Sequence, residues 1–312
     1  MTRVSIIGSE GCLGRSLRAA LAGEYEITRA DAACPNEPGV VRADVRSGRD
    51  VADAVAGADI VVHLAAYHGG YQPPPTDETR FDVNVVGTFN VLQACLVAGI
   101  RRGVWASSTA ALSKRGMYCI TKVIGEDLCD YFHQTHGFHI AMMRYDAFTA
   151  CDLVTYGQRL LHHGVDRRDC VEATVRAVRL LAEGNDLFGR YIVAHDHPGS
   201  PEEHEQFGER WRDILPGRRP RAAELIERYG IEIPPSVRRY DLSSTRSDLD
   251  FAPRYHFETF PAELAARDAG GLVTPESPRW SFETGRPPQE GVVWPEQEEI
   301  PGGLAGPDTG GP

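Results

Sequence analysis

The sequence predicts an α/β chain built on a doubly wound parallel sheet, and three features predict it. An apolar run at Val4-Ser5-Ile6-Ile7 opens directly into a glycine turn, Gly8-Ser9-Glu10-Gly11-Cys12-Leu13-Gly14, followed by a helical run. Short apolar runs and amphipathic stretches then alternate, the pattern of a parallel sheet with crossover helices. Finally, the hydroxyls of Ser107, Ser108 and Thr109 stand where a strand ends, the edge at which open parallel sheets place their ligands.

Length and composition agree with this reading. A chain of 312 residues holds one large domain or two modest ones, and 42% hydrophobic and 25% charged residues are ordinary for a globular protein. A net charge of −11 argues against a general nucleic-acid binder. The first apolar run is too short for a signal peptide or a membrane span, so a cytoplasmic protein without membrane contact is expected. Seven scattered cysteines without a C-x-x-C pair fit reduced thiols. His162-His163 and His195-Asp196-His197 lack ligand spacing, and no metal is expected.

Taken in order, residues 2–7 read as a buried strand and 15–22 as a helix. Strand, glycine turn and helix form the context of a dinucleotide loop: the first glycine permits the tight turn, the second lets the backbone approach a pyrophosphate, and the third lets helix and strand pack closely. The spacing is G-x-x-G-x-x-G, and a plain tight turn is the alternative. Residues 25–30 form a second strand ending at Asp31, whose carboxylate can accept hydrogen bonds from ribose hydroxyls and would repel a 2′-phosphate. NAD is thereby favoured over NADP, with Arg29 pulling the other way. Residues 40–41 give a third strand leading to Asp44 and Val45, 51–56 a helix, and 59–66 a strand whose small residues Ala65 and Ala66 let a cofactor pass close.

A long amphipathic helix is expected from about 77 to 98, carrying Asn84 among Val83, Val85 and Val86; periodicity alone lets its amide face either solvent or the interior. Residues 103–106 give the strand that runs into Ser107-Ser108-Thr109, and 137–144 a sixth strand. Beyond it the pattern loosens into a helix at 168–182, a strand at 191–193, helical stretches at 202–214 and 221–229, and a last helix near 257–267. These suggest a smaller lobe. From Gly270 proline and glycine dominate, the composition of a structureless tail, with Trp280 and Trp294 available to anchor it. The expected division is 1–164, then 165–269 interleaved with the sheet, then 270–312.

Tyr118 and Lys122 open the helical run that continues through residues 123–128. Four residues apart, they share a helix face, and Lys114 and Lys122 are the only lysines in the chain. A free phenol titrates at about 10, and a fixed positive charge beside it favours the phenolate. Tyr118 is then usable as a general acid/base. A chance pair on an ordinary amphipathic helix is the plain alternative.

With the glycine turn, His63-Leu64-Ala65-Ala66, the Asn84 helix, Ser108 and Tyr118-x-x-x-Lys122 in this order, the chain resembles the extended short-chain dehydrogenase/reductases. Within that group it resembles the NAD-dependent epimerase/dehydratase family, over roughly residues 3–265. The resemblance implies a Rossmann-type sheet with a small C-terminal substrate lobe, NAD as cofactor, and a homodimer formed through the helices around 77–98 and 117–133. It makes Tyr118 the acid/base, Lys122 the group that lowers its pKa and holds the nicotinamide ribose, and Ser108 the substrate-orienting hydroxyl. Gly8, Gly11, Cys12, Leu13 and Gly14 are implied at the pyrophosphate, Asp31 at the adenosine ribose, and Asp44 and Val45 at the adenine. Leu64, Ala65 and Ala66 would line the path to the nicotinamide, with Asn84 also in the cofactor site. Tyr67, His68, Thr109, Arg144 and Arg159 are the candidate substrate contacts, and 165–171 and 240–253 resemble the family's later motifs.

The chain also departs from the family's pattern. The segments 109–117 and 145–168 are short, and Thr109-Ala110 stands where 4,6-dehydratases carry an Asp-Glu pair, which disfavours that chemistry. The expected function is NAD-dependent redox chemistry at a secondary alcohol of a sugar or nucleotide-sugar, of epimerase or dehydrogenase type, with a slight lean toward sugar nucleotides. Arg144, Arg159, Arg167 and Arg168 are on offer for an anion. A dehydrogenase or reductase of a smaller sugar acid or polyol is the alternative, and a non-catalytic NAD sensor or scaffold a third.

Overall fold

The computed structural model describes residues 1–33, 38–68, 75–113, 115–148, 153–218, 221–257 and 259–271. The expected tail, with Trp280 and Trp294, lies outside the described residues from 272 onward. Seven strands, β1 Arg3–Ile7, β2 Glu26–Asp31, β3 Val40–Arg42, β4 Ile60–His63, β5 Arg102–Ser108, β6 His139–Tyr145 and β7 Gly189–Val193, form one sheet in the order β3-β2-β1-β4-β5-β6-β7. Every pairing is parallel. The order reverses between β1 and β4, the switch point at which such sheets bind ligands.

Alternate side chains of the central strands feed two cores, which is why these strands read as continuous apolar runs. On one face Val4, Ile6 and Val62 meet Leu13, Leu17 and Leu21 of α1 (Cys12–Leu21) and Val175, Val178 and Leu181 of a later crossover helix. On the other, Ile7, Val61 and Met142 meet α2 (Gly48–Val55) and the helices that follow it. The expected helix at 77–98 is three segments: α3 (Asp77–Phe81), a π-helical turn (Asp82–Val86) and α4 (Gly87–Ala98). The extra residue in that turn re-aims the side chains around Asn84. A Cβ on Gly87 would lie 2.5 Å from Val45 Cγ2, so only glycine lets the helix settle on the β3–α2 loop.

After β5 a single 3₁₀ turn (Thr109–Leu112) leads to α5 (Met117–His136), the long helix that brings Tyr118 and Lys122 back beneath the carboxyl edge of the sheet. Then come α6 (Leu153–His162) and α7 (Arg167–Ala182); α7 and β7 rejoin the sheet. The chain closes with α8 (Pro201–Glu205), α9 (Phe207–Arg218), α10 (Ala222–Arg228), α11 (Ser243–Leu249) and α12 (Phe260–Ala269). A third core joins Tyr156, Leu160, Phe207, Trp211, Leu225, Phe257 and Phe260.

Two helices escape the sequence pattern. α11 is Ser-Ser-Thr-Arg-Ser-Asp-Leu, a run of weak helix formers; it is held by packing on β7, where Thr245 Oγ1 donates to Ile192 O at 2.8 Å. α6 lies in a stretch read as a short connection. The expected helix at 202–214 is divided, because Ser200 and Glu203 form a reciprocal cap on α8 before α9 begins.

Candidate active site

Steric contacts define the glycine turn. Gly8 has φ of +92°, and a Cβ there would meet Ala65 N at 2.8 Å; a Cβ on Gly14 would meet Gly8 O at 2.2 Å. The first glycine therefore makes the turn and the third seats α1 against it, as their positions predict. Gly11 differs: its Cβ would touch only Gly8 O at 3.4 Å, an ordinary contact. Nothing in the protein requires glycine at this exposed position, whereas a phosphate lying on the backbone would. With Cys12 and Leu13 in the first turn of α1, the glycine turn fits a dinucleotide pyrophosphate. The α7 residue Arg167, buried, places Nη1 3.3 Å from Cys12 Sγ, a contact across 155 residues that no local pattern announces.

Asp31 ends β2 at the expected place, buried, and its carboxylate accepts from Glu10 N at 3.0 Å and Ala33 N at 2.8 Å. Asp44 is held by Arg46 at 2.6 Å, which keeps its carboxyl below the ordinary range, and Val45 is buried against Gly87. Leu64 N and Ala65 N both donate to Ile7 O, fixing the loop after β4 against the glycine turn. Asn84, expected among the cofactor contacts, is otherwise engaged. Its Oδ1 accepts from Tyr67 N at 2.7 Å, and its Nδ2 donates to Tyr67 O at 2.9 Å and to Thr121 Oγ1 at 3.0 Å. Through these bonds Asn84 ties the 64–68 loop to α5.

Lys122 Nζ donates to Ala106 O at 2.7 Å and stands 5.7 Å from the centroid of the Tyr118 ring. Burial pushes its ammonium down to about 8, against the pull of Glu126 one turn on. His68 is held below its ordinary value by burial and by the charges of Lys122 and Arg159, which face the same space. Ser108 accepts from Ala110 N at 3.1 Å, leaving its own proton to donate outward.

Arg144 is paired within the protein. It grips Glu126 with Nε at 2.9 Å and Nη2 at 2.6 Å, while Arg190 Nε and Ser107 Oγ complete the shell of this buried carboxylate at 2.9 and 2.5 Å. Burial pushes the Glu126 carboxyl up, but these donors outweigh it and hold it below the ordinary range. Arg168 is likewise bound, to Asp166 and Glu263. Glu126 escaped the sequence reading although its spacing from Lys122 places it on the same face.

Thr109 Oγ1 donates to Asp146 Oδ1 at 2.9 Å, where β5 and β6 end side by side. Asp146 Oδ2 and both ring nitrogens of His195, just beyond β7, are buried without a hydrogen-bond partner among the described residues. Sequence reasoning passed over Asp146, which sits in no motif, and weighed His195 only as a metal ligand.

Residues 4–149 match the model of the NAD-dependent epimerase/dehydratase family. The matched span is a little under half of the chain. The match supports an NAD-dependent oxidoreductase. The chain is 28% identical to the L-arabinose 1-dehydrogenase (NAD(P)(+)) of Haloferax volcanii, over 64% of this chain and 86% of that protein. It is 30% identical to the uronate dehydrogenase of Agrobacterium fabrum, over 48% of this chain but only 62% of the relative's length. A short-chain dehydrogenase/reductase superfamily protein from Agrobacterium tumefaciens, solved with bound NAD, shares the fold at a TM-score of 0.65 and 19% identity, covering 86% of this chain and 98% of that one.

Proposed function

We propose that this protein is an NAD-dependent dehydrogenase of a free sugar or sugar acid, with Tyr118 as the base, Ser108 as the orienting donor and Lys122 as the supporting cation. When bound, a nicotinamide ring supplies the hydride acceptor. Ser108 donates to the substrate oxygen and fixes it beside Tyr118. The phenolate takes the hydroxyl proton as the carbon–hydrogen bond breaks with its electron pair and the carbonyl forms. The Lys122 cation lowers the cost of the phenolate through the space between them. The loop after β4, braced by Asn84, and the turn at Gly8, Gly11 and Gly14 hold the cofactor against α5, with Asp31 at its adenosine ribose.

One observation moves the reading away from the sugar-nucleotide substrates toward which the sequence leans. Of the four arginines on offer for a diphosphate, Arg144 is bound to Glu126 and Arg168 to Asp166 and Glu263. The two named sugar dehydrogenases support the smaller substrate, and the first, a 1-dehydrogenase, supports oxidation at the anomeric hydroxyl. Epimerisation of a nucleotide-sugar is the second reading, favoured only by the breadth of the family. The purified protein is incubated with NAD and, separately, L-arabinose, hexuronates and UDP-sugars, while absorbance at about 340 nm reports reduced nicotinamide. NADH accumulating with a free sugar is the expected result; an isomerised UDP-sugar with no net NADH would overturn it.

We also infer a homodimer through α3, α4 and α5. Phe81 on α3, Val86 in the π-helical turn, Phe89 and Val97 on α4, and Ile120 and Tyr131 on α5 are exposed apolar side chains, and α4 and α5 pack on each other. Light scattering should give twice the chain mass of 34.3 kDa; a monomer mass across micromolar concentrations would reject the inference.

A further inference from the structure

The glycine turn contains a carboxylate where phosphate-binding chemistry has no use for negative charge. Glu10, 1% exposed, accepts through Oε1 from Ser9 Oγ at 2.8 Å, Arg29 Nε at 3.0 Å and Arg18 Nη1 at 3.2 Å, with Arg15 Nε 4.0 Å from Oε2. Burial pushes this carboxyl up, but the bonds from Arg29 and Ser9 and the charge of Arg18 outweigh it, so Glu10 is anionic at neutral pH. Its backbone N–H donates to Asp31 Oδ2 at 3.0 Å. Arg29 and Asp31 are two residues apart on β2, so their side chains leave the same face of the sheet.

The corner expected to hold the adenosine ribose therefore contains opposing groups. Asp31 suits a ribose diol, whereas guanidinium groups such as those of Arg29 and Arg18 suit a phosphate. Both are fastened to Glu10. A 2′-phosphate entering here would meet two carboxylates, and would have to draw the guanidinium groups away from a buried partner that already holds them.

We propose that Glu10 is a second determinant of cofactor choice, holding Arg29 and Arg18 in an internal ion cluster so that the site takes the 2′,3′-diol of NAD and rejects the 2′-phosphate of NADP. Glu10 acts through the arginines and is a positioning residue. The proposal rests on the reading of the turn as a nicotinamide dinucleotide site.

Direct titration with NAD and NADP, followed by calorimetry, tests it without relying on turnover. Wild type should prefer NAD. Glu10→Gln keeps the shape of the side chain and removes its charge; it should raise NADP affinity relative to NAD by about tenfold, the scale of one charge-assisted hydrogen bond. Adding Arg29→Gln and Arg18→Gln to that variant should cancel the gain. A ratio that stays within about twofold in Glu10→Gln, or a gain that survives loss of both arginines, overturns the proposal. If Glu10→Gln does not fold, Arg29→Gln alone decides: unchanged NADP affinity supports the internal pairing, and a tenfold loss means that Arg29 already serves the 2′-phosphate. Binding of neither nucleotide by folded wild type overturns the dinucleotide reading and this proposal together, whereas binding of NAD with an unmoved ratio overturns this proposal alone.

Discussion

Lys122 Nζ lies 5.7 Å from the centre of the Tyr118 ring and is anchored at 2.7 Å to the carbonyl of Ala106, near the end of β5. The strand that presents Ser108 thus also fixes the cation beside the phenol, and α5 cannot shift without moving both. Tyr118→Phe is expected to lower turnover by about 10²–10⁴-fold, the usual contribution of a general acid/base. NAD affinity measured by calorimetry should change little. Near-normal turnover in this variant would remove Tyr118 from the mechanism.

Lys122 carries a stability cost. Its displacement from 10.5 to about 8 corresponds to roughly 3 kcal/mol against the charged form in the folded protein. The folded-state value is depressed, so the associated stability is complete above the unfolded value of about 10.4 and is lost as pH falls through the folded one. Lys122→Met should therefore raise the urea midpoint at pH 7 while reducing turnover, the trade expected of a strained functional group. A lower midpoint would show that the bond to Ala106 outweighs burial of the charge.

Glu126 is the inverse case. Removing it leaves Arg144 and Arg190 without their common buried partner, and Glu126→Ala should cost about 3–5 kcal/mol in chemical denaturation, as broken buried ion pairs do. A loss below about 1 kcal/mol would mean that water or Asp130, already paired with Arg190, takes over.

Acid should weaken the fold before carboxylates are generally protonated. Burial pushes His63 and His197 down to about 3 and His195 to about 4, so all three fold neutral. An unfolded histidine protonates at about 6.5, and their stability is lost as pH falls from there toward the folded values. Asp169, pushed up to about 7 by burial, opposes this over the same window. Burial also holds His68, His162 and His204 down and Glu263 up. The histidines thus outnumber the opposing carboxyls, and the denaturation midpoint should fall as pH drops from about 6.5 to 4; a flat midpoint over that range would contradict it.

Much of the nucleotide half was legible because its constraints are local. Gly8 and Gly14 obey contacts within one turn, Tyr118 and Lys122 share a helix face, and the end of β2 puts Asp31 about 20 residues past the glycines. What stayed hidden depends on distant pairings. The hold of Glu126 on Arg144 and Arg190 joins α5 to two strands, and Arg167 reaches Cys12 across 155 residues. Asn84 was found, but periodicity could not show that its amide would be consumed by Tyr67 and Thr121, because a π-helical turn breaks the period at that point. α11 was missed because its residues are poor helix formers and its helix exists only against β7.

The packing of α11 on β7 also bears on how copies of this chain can meet. β7 ends one side of the sheet, and an open edge invites a strand from another molecule. Thr245 already donates to the carbonyl of Ile192 there, while the opposite edge, β3, is three residues long. Both margins therefore carry a feature that blunts strand addition, a helix packed on β7 and a short β3.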